Sequence, residues 1–78
     1  MDKTLSGYIE DARARMEYEA VLGAHWTFSH MSQSARDEFD AWLVKIGHVL
    51  ASEAGTQERR FISFMSDLHT GRYRGELP

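Results

Sequence analysis

Ser34-Ala-Arg-Asp37-Glu38-Phe39-Asp40-Ala-Trp42-Leu43-Val44-Lys-Ile46-Gly-His48-Val49-Leu50 is the stretch that decides the fold class. Phe39, Trp42, Leu43, Ile46, Val49 and Leu50 recur at three- and four-residue steps, the spacing that lines one side of a 3.6-residue helix. Ser34 and Asp37 fit a capping box, in which hydroxyl and carboxylate each satisfy a free backbone N–H at the helix start. Gly55 stands where such a helix would stop in the left-handed conformation open to glycine. The spacing predicts a rod of about five turns between them.

Downstream, Thr56 is a capping residue and Gly71 a stop, with Phe61, Phe64, Met65 and Leu68 as the apolar stripe between them. Residues 71–78 carry no periodicity and read as a tail that is loose or draped over the bundle. Upstream, a helix opening at Thr4 or Ser6 carries Leu5, Ile9, Ala12, Met16 and Ala20 on one stripe. Asp11–Arg15, Arg13–Glu17 and Arg15–Glu19 are four apart and are expected to pair on its solvent side. Beyond Met16 the pattern changes: Tyr18, Val21, Leu22 and His25 project away from the first stripe, so the rod becomes apolar nearly all round. Gly23 is the expected bend or break, and 25–32 reads equally as helix or loop.

The only proline is Pro78, at the last position, so nothing inside the chain forbids helix, and no run alternates apolar and polar residues as a strand would. Three amphipathic rods with short connections imply a small antiparallel three-helix bundle, one domain over 1–78, with Phe39, Trp42, Phe61, Phe64 and Trp26 meeting inside. Seventy-eight residues bury a limited core, and without cysteine no disulfide staples it. Completion by dimerisation or by a partner is therefore expected. The lack of cysteine fits a reducing, cytoplasmic setting. No apolar run reaches the ~18 residues of a membrane span, and Met1 opens no signal peptide.

Charge bears on function. The net charge is −3, which argues against binding nucleic acid by bulk electrostatics. Residues 1–44 hold eight carboxylates against four Lys or Arg, whereas 45–78 hold five Lys or Arg against four carboxylates. The first half is acidic and suits a partner with a basic surface.

Chemistry-bearing patterns are sparse. The four histidines form neither a His-Glu-x-x-His nor a Glu-x-x-His pair, so no metal or cofactor site is expected. Neither Gly-x-Ser-x-Gly nor a glycine-rich phosphate loop occurs. Glu10/Asp11 and Asp37/Glu38 are sequence neighbours that splay apart on a helix. The chain reads as non-enzymatic.

One segment offers a different function. In Leu50-Ala51-Ser-Glu-Ala54-Gly55-Thr56, a small residue is followed four positions later by glycine, and Phe61 and Phe64 fall where a second helix would bury apolar side chains. Leu50 to Met65, about a fifth of the chain, resembles the helix-turn-helix pattern. That resemblance implies a DNA-binding regulator whose Gln57, Arg59, Arg60, Ser63 and Ser66 would meet DNA. Thr56 departs from it, standing where the motif carries an aliphatic residue.

The leading expectation is a protein–protein interaction module. Tyr18, Leu22 and Trp26 exceed what one core-facing stripe needs and would hold the contact. Asp37, Glu38 and Asp40 would steer the encounter, and Val44 and His48 lie on a secondary stripe of the second rod. In general character, a compact acidic chain of this size resembles small phage or mobile-element inhibitors such as anti-CRISPR proteins. That likeness implies steric occlusion of a basic-surfaced, nucleic-acid-handling machine, by a homodimer or by an adaptor-like monomer.

Overall fold

Apolar stripes at helical spacing become four helices in the computed structural model, which describes residues 3–48 and 55–78: α1 Leu5–Met16, α2 Ala20–His30, α3 Gln33–Lys45 and α4 Gln57–Thr70. No strand occurs among the described residues, and no helix there is long and apolar enough to cross a membrane. The all-helical class holds, but the expected first rod is two helices.

The break comes at 17–19, earlier than Gly23. Glu17 is still helical, whereas Glu19 turns extended at φ −153°. Gly23 lies inside α2 and does something else. A Cβ placed there would sit 2.8 Å from the Arg15 carbonyl carbon and the Met16 nitrogen. Glycine therefore lets the backbone of α2 touch the last turn of α1. Residues 25–30 are helix, ended at Met31.

The capping box does not form. Ser32, two residues earlier, caps α3 by accepting from Ala35 N–H, and Ser34 lies within the first turn. α3 also stops at Lys45, well short of Gly55. Gly47 adopts φ +73°, and His48 N–H reaches back to the Leu43 carbonyl, a Schellman closure. Val49 and Leu50, expected on this stripe, lie outside the described residues. Thr56 caps α4 through Arg59 N–H, and Gly71 ends it at φ +80°, both as the sequence predicts.

The core is aromatic where α3 meets α4. Phe39, Phe61 and Phe64 are fully buried, with Phe39 edge-on to Phe61 at 5.1 Å and to Phe64 at 5.6 Å. Trp42 meets Phe64 at 5.2 Å and 89°, the edge-to-face geometry that ring quadrupoles favour. Leu5, Ile9, Ala12 and Met16 of α1 are buried as their stripe implies. The C-terminal tail is docked: Tyr73 packs 5.0 Å from Phe64, and Arg72 and Tyr73 N–H groups donate to the Asp67 carbonyl. Of the two readings of the tail, loose or draped, the structure shows it draped at Tyr73, whose ring has a hydrophobic seat.

Candidate functional site: the outward face of helix 2

Helix α2 is built the wrong way round for a helix that only supports a core. Its inward positions are Gly23, Ala24, Thr27 and Phe28, three of them small. Its outward positions, with the turn before it, carry Tyr18 at 92% exposed, Val21 at 55%, Leu22 at 61% and Trp26 at 40%. Small residues inside let α1 approach closely. Large apolar residues outside gain nothing in the isolated chain, since they remain in water. Trp26, expected in the core, belongs to this outer face.

The face is held in shape. The Arg15 guanidinium lies 3.3 Å from the Trp26 ring centre, and the His30 ring stacks on Trp26 at 3.8 Å. Two groups that close to one ring centre must occupy opposite faces, so the indole is sandwiched and presents its edge. His30 Nδ1 donates to the Trp26 carbonyl at 2.8 Å, which fixes the imidazole, and the Ser29 hydroxyl donates to the same oxygen. Arg36 of α3 donates to the Phe28 carbonyl at 2.8 Å, closing the end of α2 with a cation where the helix dipole favours one. Arg15, Tyr18, Glu19, Leu22, Gly23 and Trp26 together line a shallow hollow of about 230 Å³.

The stacking also explains why the two expected ion pairs of Arg15 do not close; Arg13–Glu17 does not close either, and nothing in the structure explains that. Arg15 turns to Trp26, and Asp11 pairs with Lys3.

Of the other expected contact residues, the structure brings some together elsewhere. Asp40 accepts two hydrogen bonds from Arg60, at 2.9 and 2.7 Å, across the α3–α4 seam. These bonds, above all, hold its carboxyl below the usual carboxylate range and push the Arg60 guanidinium up. Asp40 is therefore a cross-brace and not a free steering charge. Asp37 stays exposed and accepts from Gln57 and Gln33, which lower its pKa in that order. Glu38 is exposed one position along. Val44 is exposed on α3, apart from the α2 face. His48 is half-buried, 3.4 Å from the Asp67 carboxylate and edge-on to Phe64. It belongs to the tail's seat.

The residues of the helix-turn-helix reading divide. Gln57 and Arg60 are spent on α3, while Ser66 is half-buried. Arg59 and Ser63 line an open hollow of about 430 Å³ with Thr56, Glu58 and Ile62. Glu58 pairs there with His25 at 3.1 Å. The Leu50–Ala54 half of that pattern lies outside the described residues. Among the described residues, no three His, Asp or Glu side chains gather as a metal site requires.

The sequence did single out Tyr18, Leu22 and Trp26. It missed Arg15 and His30 as their supports, because neither spacing nor composition announces a cation stacked across two helices. Compared with known protein families, curated proteins and solved structures, the chain matches none.

Proposed function

We propose that this chain is a non-enzymatic protein–protein interaction module whose docking surface is the outward face of α2. One observation carries the reading: on α2 the inward residues are small except for Phe28, while Val21, Leu22 and Trp26 point out. Bulky apolar side chains left in water add nothing to the stability of a short chain with a limited core unless something covers them. The Arg15–Trp26–His30 stack adds to this, because a contact side chain already held in one rotamer loses less entropy on binding.

The module acts by occlusion, as inhibitor or adaptor, and its working target is a basic macromolecular surface such as that of a nucleic-acid-handling machine. Asp37 and Glu38 support this. Both are exposed, and the hydrogen bonds to Asp37 favour its charged form. Uncompensated charge on α3 raises the rate of encounter with a basic partner and is screened by salt. Arg60, one of the two cations of the helix-turn-helix reading, is tied to Asp40, which favours protein over DNA as the target.

Affinity capture from host extract with wild type, Leu22→Glu and Val44→Glu tests the docking surface. Specific retention lost with Leu22→Glu and kept with Val44→Glu is the expected result. Equal capture by all three would remove α2 from the function.

A further inference from the structure

The outer face of α2 is suited to a particular occupant. We infer that it is covered by a second copy of this chain, with the two α2 helices packed antiparallel about a twofold axis; the inference rests on the docking reading above. Val21, Leu22, His25, Trp26 and Ser29 are all exposed and follow one another at steps of one and three, and Tyr18 of the preceding turn stands exposed beside Leu22 and Trp26. That spacing makes a continuous stripe along one side, the pattern by which one helix seats on another.

Charge sets the direction. Glu17 and Glu19 stand exposed at the beginning of the stripe, whereas His25 and His30 stand at its middle and end. In a parallel pair the glutamates of both copies would crowd together. Turned antiparallel, Glu19 of one copy lies beside His30 of the other, and the same contact repeats across the axis. A surface that complements itself under a twofold rotation is what an isologous dimer requires. The helix dipoles also oppose in this arrangement.

Size agrees. Taking ordinary side-chain areas, the uncovered parts of Tyr18, Val21, Leu22 and Trp26 come to on the order of 500 Å² per copy. A symmetric pair would then bury roughly 1,000 Å², the level at which specific interfaces begin. Glu38 and Asp37 sit on α3, so each dimer would offer two acidic sides to a basic target.

Sedimentation equilibrium of the full chain tests this, together with a cysteine placed by design, because the natural sequence has none. The mass should rise from 9.0 kDa toward twice that value with concentration. Leu22→Glu and Tyr18→Ser should each weaken association at least tenfold, with unchanged helical circular dichroism. His25→Cys, next to the axis that a Glu19–His30 contact sets between residues 24 and 25, should give a disulfide-linked pair under mild oxidant, while Val44→Cys should not. A wild-type mass fixed at 9.0 kDa up to millimolar chain overturns the second copy as occupant. So does a dimer that survives both substitutions while the His25→Cys chain stays unlinked under oxidant. If capture by wild type is still lost with Leu22→Glu in either case, only the dimer fails; if capture is unchanged, the docking face fails with it.

Discussion

Helices α2 and α4 are near equals in length and opposite in construction. α4 buries Phe61, Phe64 and Met65 completely and turns Arg59, Ser63, His69 and Thr70 to water. α2 buries Gly23, Ala24, Thr27 and one large side chain, Phe28, and turns Val21, Leu22 and Trp26 to water. The first arrangement maximises apolar burial within the chain. The second gives up that burial on one side to gain backbone proximity on the other. Stability therefore concentrates around α4, and the capacity to contact something else concentrates on α2.

The largest effect that tests this contrast is expected at Phe64. It touches Phe39, Trp42, His48 and Tyr73, so truncation opens a cavity shared by α3, α4 and the tail. Phe64→Ala should cost about 3–5 kcal/mol, read as a lowered denaturation midpoint at constant slope. A loss below about 1 kcal/mol would mean that the aromatic cluster is not the centre of stability.

Gly23→Ala sharpens the contrast from the other side. Helix propensity alone predicts a gain of about 1 kcal/mol for alanine. The new methyl, however, would press on α1 backbone at 2.8 Å, and backbone does not swing aside as a flexible side chain does. Overpacking of this kind costs about 1–3 kcal/mol, so the substitution should destabilise despite the better helix former. A raised melting temperature would show the α1–α2 seam to be looser than these distances.

How much of this was legible is clearest at particular residues. Phe39, Trp42, Phe61 and Phe64 announced the core, since large apolar side chains at helical spacing have no cheaper place to go. Thr56 and Gly71 announced the limits of α4, because capping is local chemistry. The turn at 17–19 was hidden, as it holds neither glycine nor proline and exists only because α2 folds back on α1. Gly23 was misread for the same reason: sequence shows a missing side chain, not what would have collided with it. Asp40 counted as free charge until Arg60, twenty residues away, came within 2.7 Å. Exposure of Tyr18 and Leu22 was foreseeable from their excess, whereas Trp26 read both as core and as contact residue, and its bracing depends on a tertiary stack.

The α3–α4 brace supplies a test in pH. The folded carboxyl of Asp40 titrates below its unfolded value, so its contribution is fully present above about pH 4 and is lost as pH falls through the folded value. Asp40→Asn should remove about 1–3 kcal/mol at pH 7 and flatten the acid side of the stability profile. Urea midpoints measured from pH 2 to pH 7 would check both. An unchanged acid limb would place the protons taken up in acid on other carboxylates.

The smallest expected effect is the one that separates the two helices most sharply. Leu22 is 61% exposed, and its side chain lies on the outer face beside Tyr18 and Trp26. Leu22→Glu at micromolar chain concentration should shift monomer stability by no more than about 0.5 kcal/mol, within the range of ordinary surface substitutions. Glutamate is also a good helix former, so propensity offers no loss. Because mass action links folding to association, the same substitution should lower apparent stability increasingly as wild-type chain is concentrated into its bound form. Thermal melts of both chains across a hundredfold concentration range give the two quantities at once. Coinciding curves at low concentration that diverge at high concentration mark a residue kept for contact. A large gap already present at the lowest concentration would instead make Leu22 part of the core, and would remove the difference between α2 and α4.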